Sequence, residues 1–202
     1  MASTSSPTRT YGWRVVDIVV TAVLGVAIGI IFVGWNFVGG AGYDAFNSAT
    51  PGLGGLVVGI WQIGGVLGGL VIRKPGAAIA VEVIAAIVSM AVGNQWGVTT
   101  LYSGLAEGLG AELVFLVFAY RRWGLVQAAL AGVGAAVVEW VLELFLFGNL
   151  AKEVAFNAIY LVTMIVSGAV LAGGIGWALT KALAASGALS RFAAGREARA
   201  DV

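Results

Sequence analysis

The sequence predicts an all-α integral membrane protein, a single bundle of six transmembrane helices with both termini in the cytoplasm. Three observations carry that expectation. Hydrophobic residues make up 60% of the 202 and charged residues only 10%, with a mean hydropathy of +0.98, whereas soluble domains are about a quarter charged. The apolar residues fall into runs of the length that crosses the roughly 30 Å of bilayer hydrocarbon, separated by short polar connections. Ten of the eleven Lys and Arg residues fall on one side of the resulting topology.

Residues 1–12 are small and polar and read as a cytoplasmic N-terminal tail. The first apolar run, Val15 to Val38, is too long for a signal-peptide core and reads as a transmembrane helix. Gly39 to Pro51 reads as a Gly-rich polar loop, and Gly52 to Ile72 as the second span. Arg73 to Gly76 makes a tight turn into a third span, Ala77 to Val92, which carries Glu82; Gly93 to Thr100 is a short polar loop. The fourth span, Leu101 to Trp123, contains Glu107 and Glu112 and ends at Arg121 and Arg122. The fifth, Leu125 to Phe147, holds Glu139 and Glu143, and the sixth runs from about Ala155 to Leu183. The membrane domain therefore occupies residues 13–183, and residues 184–202 form an Ala-rich cytoplasmic tail that reads as a frayed surface helix.

Orientation follows from the retention of Lys and Arg on the cytoplasmic side of short loops. Arg9, Arg14, Arg73, Lys74, Arg121, Arg122, Lys181, Arg191, Arg196 and Arg199 share the face of the two termini, and only Lys152 lies opposite. A net charge of +1 excludes a globally basic nucleic-acid surface. Without Cys or His there is no disulfide, thiol nucleophile, imidazole base or usual zinc site. No phosphate-binding loop is present, and GAGYDA at Gly40 to Ala45 lacks the βαβ context of a dinucleotide site. No catalytic residue, cofactor or metal site is expected, and the chain is not read as an enzyme.

Ionisable groups at membrane depth are costly and mark functional positions. At about 1.5 Å per residue, Glu107 lies roughly 9 Å in from the outer face, and Glu139, roughly 21 Å above the inner end of its helix, reaches the same level. Glu143 follows Glu139 by four residues on the same helix face, at the mouth of the cavity these carboxylates would share. Trp35, Asn36, Tyr43, Asp44, Asn94, Gln95, Trp96, Tyr102, Trp140, Asn157 and Tyr160 belong to the same outer region. Carboxylates beside aromatic rings suit an organic cation, and side-chain amides suit a heteroaromatic ring. Aromatic residues also anchor any membrane protein at its interfaces. Glu82 and Glu112 read either as a structural pair or as part of a coupling surface, and Asp17 as an ion-pair partner of Arg14. Small residues at four-residue spacing let helices approach closely in lipid; Thr21, Gly25 and Gly29 on the first helix form such a stripe, and the density of glycine on the first two helices points to a partner membrane subunit.

FVGWNF at Phe32 to Phe37, GNQWG at Gly93 to Gly97, EGLGAELVF in the fourth helix and the YRRW that follows carry a family resemblance over nearly the whole chain. The sequence resembles the substrate-binding S-components of energy-coupling factor (ECF) vitamin transporters, of the YkoE type associated with thiamine and its hydroxymethylpyrimidine precursor. The resemblance implies a multi-pass subunit of a bacterial-type plasma membrane, with a membrane coupling (T) subunit and two cytosolic ATP-binding cassette ATPases as partners. It also implies that Glu107 lies near a thiazolium, Trp140 stacks on the ligand, and Asn94 and Asn157 supply polar contacts. By the same resemblance Thr21, Gly25 and Gly29 dock on the coupling subunit. The substrate-binding set is thus Glu107, Glu139, Glu143, Asn94, Trp96, Tyr102, Trp140, Asn157, Tyr160 and Trp35. A stand-alone proton-coupled carrier for organic cations, using an intramembrane Glu, is the alternative.

Overall fold

A computed structural model describes residues 11–200, with the side chains of 198–200 left aside. Most of the expected N-terminal tail, including Arg9, and the side chain of Arg199 lie outside the described residues. Among those described, all regular secondary structure is helical, with no strand. The α-helices are α1 (Val15–Ala49), α2 (Ile63–Ile72), α3 (Ala77–Val92), α4 (Thr99–Val117), α5 (Leu125–Leu146), α6 (Val154–Ser167), α7 (Gly176–Ala185) and α8 (Ala193–Ala200). A 3-10 helix, Leu53–Ile60, leads into α2, and a π-helix, Gly168–Ile175, joins α6 to α7. Among the described residues, five segments are long and apolar enough to cross a membrane: Val15–Ala49, Leu53–Ile72, Thr99–Val117, Leu125–Leu146 and Val154–Ala185. At 16 residues α3 is shorter.

The helix α2 is the axis of the bundle, and all ten of its residues are buried. Around it α1 packs on α3, α3 on α4, and α4 on α5, while α5 packs on the π-helix. Glycine backbones make the tightest of these crossings. A Cβ on Gly110 would collide with the Gly134 carbonyl of α5, and one on Gly132 with the Gly168 carbonyl of the π-helix. Side chains directed outward are apolar, including Val23, Ile30, Leu116, Val126 and Val162, as a hydrocarbon solvent requires.

Two carboxylates whose roles the sequence leaves open are helix caps reaching across from a neighbouring helix. The first amides of a helix have no intrahelical acceptor, and negative charge is favoured there. Glu82 of α3 accepts the Gly65 amide near the start of α2 at 2.5 Å. Glu112 of α4 accepts the Gly76 and Ala78 amides at the start of α3, at 2.7 and 2.9 Å. A third bond to Glu112 comes from the Tyr120 hydroxyl at 2.6 Å. The expected fourth span stops short of Trp123: α4 ends at Val117, and Ala119 and Tyr120 adopt left-handed φ values of 50° and 52°. That conformation is unfavourable for residues with a Cβ, and here it folds Tyr120 back onto Glu112.

Other sequence boundaries also move. The expected loop from Gly39 is helical as far as Ala49, so α1 is 35 residues long. The second span is not one regular helix but changes from 3-10 to α at Trp61 and Gln62. Gln62 is fully buried, and neither of its amide atoms has a partner among the described residues. The tail beyond Ala184 is not a frayed surface helix along its length, because Leu189 and Phe192 are buried within the core cluster that also holds Val71, Ile72 and Ala77.

Asp17 does pair with Arg14, at 2.7 Å, and Lys74 adds a second ion pair at 2.5 Å. This knot joins the start of α1 to the α2–α3 turn. The stripe expected to dock on a partner is turned inward: Thr21, Gly25 and Gly29 are buried. A Cβ on Gly25 would meet Ile84 at 2.5 Å, and one on Gly29 would meet Val88 at 2.6 Å. Close packing of α1 on α3 within the chain accounts for these small residues.

Candidate functional site

Between α1, α3, α4, α5 and α6 lies a cavity of about 290 Å³. Four carboxyl side chains line it: Glu82 from α3, Glu107 from α4, and Glu139 and Glu143 from α5. The lining holds one cation, Lys152, whose ammonium sits 4.3 Å from the centroid of the Phe156 ring. Oε1 of Glu82 and Oε2 of Glu139 are buried without a hydrogen-bond partner. No group of three or more acidic, His or Cys side chains among the described residues is placed to hold a metal ion. The cavity therefore holds more carboxyl groups than positive charge, so the chemistry that complements it is a cation or an amino group.

Aromatic walls flank the carboxyls. Trp61 packs edge-on against Trp96, with ring centroids 5.3 Å apart, and against Trp35 at 6.4 Å. The Trp61 indole donates to Asn36 Oδ1 at 2.9 Å, and the Asn36 amide donates to Ser89 at 3.0 Å, which fixes both lining residues. On the opposite side the Tyr160 hydroxyl donates to Glu143 Oε1 at 3.1 Å, and Asn149 donates to Glu143 Oε2 at 2.9 Å. Tyr43, near the end of α1, crosses Tyr160 edge to face at 6.1 Å. Ring faces and edges at this spacing can sandwich a planar heterocycle and attract a positive ring nitrogen.

Of the residues singled out from sequence, Glu107, Glu139, Glu143, Trp96 and Tyr160 line the cavity. The others stand behind or outside it. Asn94 Oδ1 accepts the Trp96 and Gly97 amides at 3.0 and 2.8 Å, holding the loop that presents Trp96. Trp140 donates to the Asn157 carbonyl at 3.2 Å, and the Asn157 amide donates to the Asn149 carbonyl at 2.8 Å. Trp35 donates to the Val57 carbonyl at 3.1 Å. Tyr102 is 48% exposed and is not in the lining.

Asn36 and Tyr43, placed in the outer region by the sequence but not in the substrate-binding set, also line the cavity, and sequence reasoning overlooked Glu82 and Trp61 as members of the site. Tyr43 falls in a stretch that reads as loop, and Trp61 lies inside an apolar run. The signal for Trp61 was its neighbour Gln62, an amide interrupting a span that should be wholly apolar.

With this geometry in view, the relatives are informative. Residues 16–138 match the family model described as an ABC-type cobalt transport system, permease component. The putative HMP/thiamine permease protein YkoE of Bacillus subtilis (strain 168) is 35% identical over 187 residues, covering 92% of each chain. A crystal structure of an S-component of an ECF transporter superposes with a TM-score of 0.80 at 30% identity, over 94% of this chain and 95% of the other. The chain belongs to the S-component family of ECF transporters. This S-component is a multi-pass protein of the plasma membrane and a transport component, as its relatives are. Its acidic and aromatic cavity lies within the segment shared with both relatives.

Proposed function

We propose that the chain is the substrate-binding subunit of an ECF-type importer, and that it captures thiamine or hydroxymethylpyrimidine from the outer face in the acidic cavity. The observation that carries this reading is the set of four carboxyls opposed by one lysine between tyrosine and tryptophan walls. A thiazolium satisfies the charge demand, an aminopyrimidine supplies donors for the unpartnered Glu82 and Glu139 oxygens, and both rings are flat enough to lie among Trp61, Trp96 and Tyr160. The relative's name, an HMP/thiamine permease, supports the same ligand class.

In this reading α3 is a sixth membrane crossing, and both termini are cytoplasmic, since Arg14, Arg73, Lys74, Arg121 and Lys181 then share the inner side. The chain carries no phosphate-binding loop and is not an enzyme. Energy comes from two cytosolic ATPases acting through a membrane coupling subunit.

Calorimetric titration of the purified protein with thiamine and with hydroxymethylpyrimidine tests the ligand class. Saturable binding of either supports it, and failure to bind both overturns it. Vesicles containing this chain alone should not accumulate vitamin. Sustained ATP-independent accumulation that collapses with a protonophore would identify a proton-coupled carrier instead.

A further inference from the structure

At the bundle end that carries the α2–α3 turn and the α4–α5 connection lies a second cavity, of about 340 Å³. Arg73, Arg121 and Lys181 line it together with Trp123, Trp177 and Glu197. Arg73 is committed: Glu197 of α8 accepts from both of its terminal nitrogens, at 2.6 and 2.8 Å, and its guanidinium lies 5.3 Å from the Trp123 ring centroid. Lys181 stands 5.9 Å from the Trp177 ring centroid. Neither Lys181 nor Arg121 has a carboxylate partner among the described residues. Three cations against one carboxylate leave this cavity with two uncompensated positive charges among its described lining residues.

Cations gathered in a concave site without counter-charges create a strong preference for an anion. The surroundings indicate which anion. Leu125 in the lining and Val126 next to it, at the start of α5, expose apolar side chains, and indoles such as Trp123 and Trp177 are typical of the membrane boundary. We propose that this cavity binds the phosphate of an anionic phospholipid, seated between Trp123 and Trp177 on Arg121 and Lys181, while Glu197 keeps Arg73 neutralised. Basic pockets between membrane helices recognise anionic headgroups in this way, with the acyl chains remaining in the bilayer. None of these residues lines the acidic cavity, so the site is independent of the ligand assigned there.

The test is the thermal unfolding midpoint of detergent-solubilised protein titrated with phosphatidylglycerol, phosphatidylcholine or inorganic phosphate. Phosphatidylglycerol should raise the midpoint saturably and the other two should not. Arg121→Gln combined with Lys181→Gln should weaken the apparent phosphatidylglycerol affinity by about 25-fold, at roughly five-fold per cation. Arg122→Gln, outside the lining, should leave it unchanged. An undiminished response in the double variant, or an equal response to phosphatidylcholine, overturns the site. An equal response to inorganic phosphate overturns the lipid as its occupant and leaves a soluble phosphate. Should the double variant fail to fold, native mass spectrometry of Glu197→Gln decides: removing the competing carboxylate should increase retained phosphatidylglycerol, and decreased retention overturns the proposal.

Discussion

Oε2 of Glu82 on α3 accepts the Gly65 amide of α2 at 2.5 Å, while Oε1 of the same carboxyl is buried with no partner. One side chain thus caps the central helix and lines the acidic cavity. Glu82→Gln retains an oxygen for the Gly65 amide but alters the second position, so thiamine affinity should fall by roughly 10-fold with the unfolding midpoint nearly unchanged. Glu82→Ala leaves the amide unsatisfied and should destabilise the fold by about 1–3 kcal/mol. Calorimetry and thermal unfolding on the two variants separate the roles.

Glu107→Gln keeps size and hydrogen bonding and removes charge. A charge-assisted contact in a partly desolvated site contributes about 1.5–3 kcal/mol, so thiamine binding should weaken roughly 10-fold to 150-fold, and neutral hydroxymethylpyrimidine less. Equal loss of both ligands would place this carboxylate on the shared pyrimidine ring. Normal thiamine binding by a well-folded variant would make Glu107 structural.

Glu112 holds two amides at the start of α3, so Glu112→Ala should cost about 2–6 kcal/mol of stability, at about 1–3 for each buried donor. Tyr120→Phe removes only one of three bonds and should cost less. Burial and the neighbouring Glu112 push the Tyr120 phenol above its ordinary value. Its contribution to stability is therefore full below the unfolded value, about pH 10, and is lost as the pH climbs from there through the raised folded value. Alkaline unfolding of Tyr120→Phe should lack that loss, and an unaltered alkaline limb would count against the interaction.

Because Gly25 faces Ile84 within the bundle, Gly25→Leu should disrupt the α1–α3 contact by about 3 kcal/mol or more. Ligand binding and partner assembly should then decline together with folding. A well-folded Gly25→Leu variant that binds vitamin but fails to associate with a coupling subunit would restore a docking role to this stripe.

Gln62 has two buried amide atoms without partners. Replacing it by Met, close in volume, relieves an unpaired polar group and should raise stability by about 1–3 kcal/mol. A fall in the unfolding midpoint would show that the amide is satisfied in the working protein.

Much of this architecture is legible from hydropathy, because a bilayer leaves backbone groups few ways to be satisfied except in helices. Depth is legible as well: rise per residue brings Glu107 and Glu139 to one level, and both line one cavity. Rotation about each helix axis is not, since small residues look the same whether they meet another helix of the chain or a partner. That ambiguity hid the inward turn of Thr21, Gly25 and Gly29. It also hid Glu82 and Glu112, whose acceptors' partners are amides far along the chain and invisible to any local pattern. Trp140 and Asn157 show a further limit: the hydrogen bond between them joins two helices and leaves no local mark in the sequence.

The length of α1 has a mechanical consequence. Its 35 residues form one uninterrupted helix of roughly 50 Å, well beyond the hydrocarbon thickness. Gly25, pressed against α3, and Tyr43, in the cavity wall, lie on the same rigid shaft about 27 Å apart along its axis. With the close contact at Gly25 as fulcrum, a tilt of about 10° would sweep Tyr43 sideways by roughly 5 Å, following from that lever arm. A push on the opposite end of α1 would thereby open or shut one side of the acidic cavity without any helix having to bend.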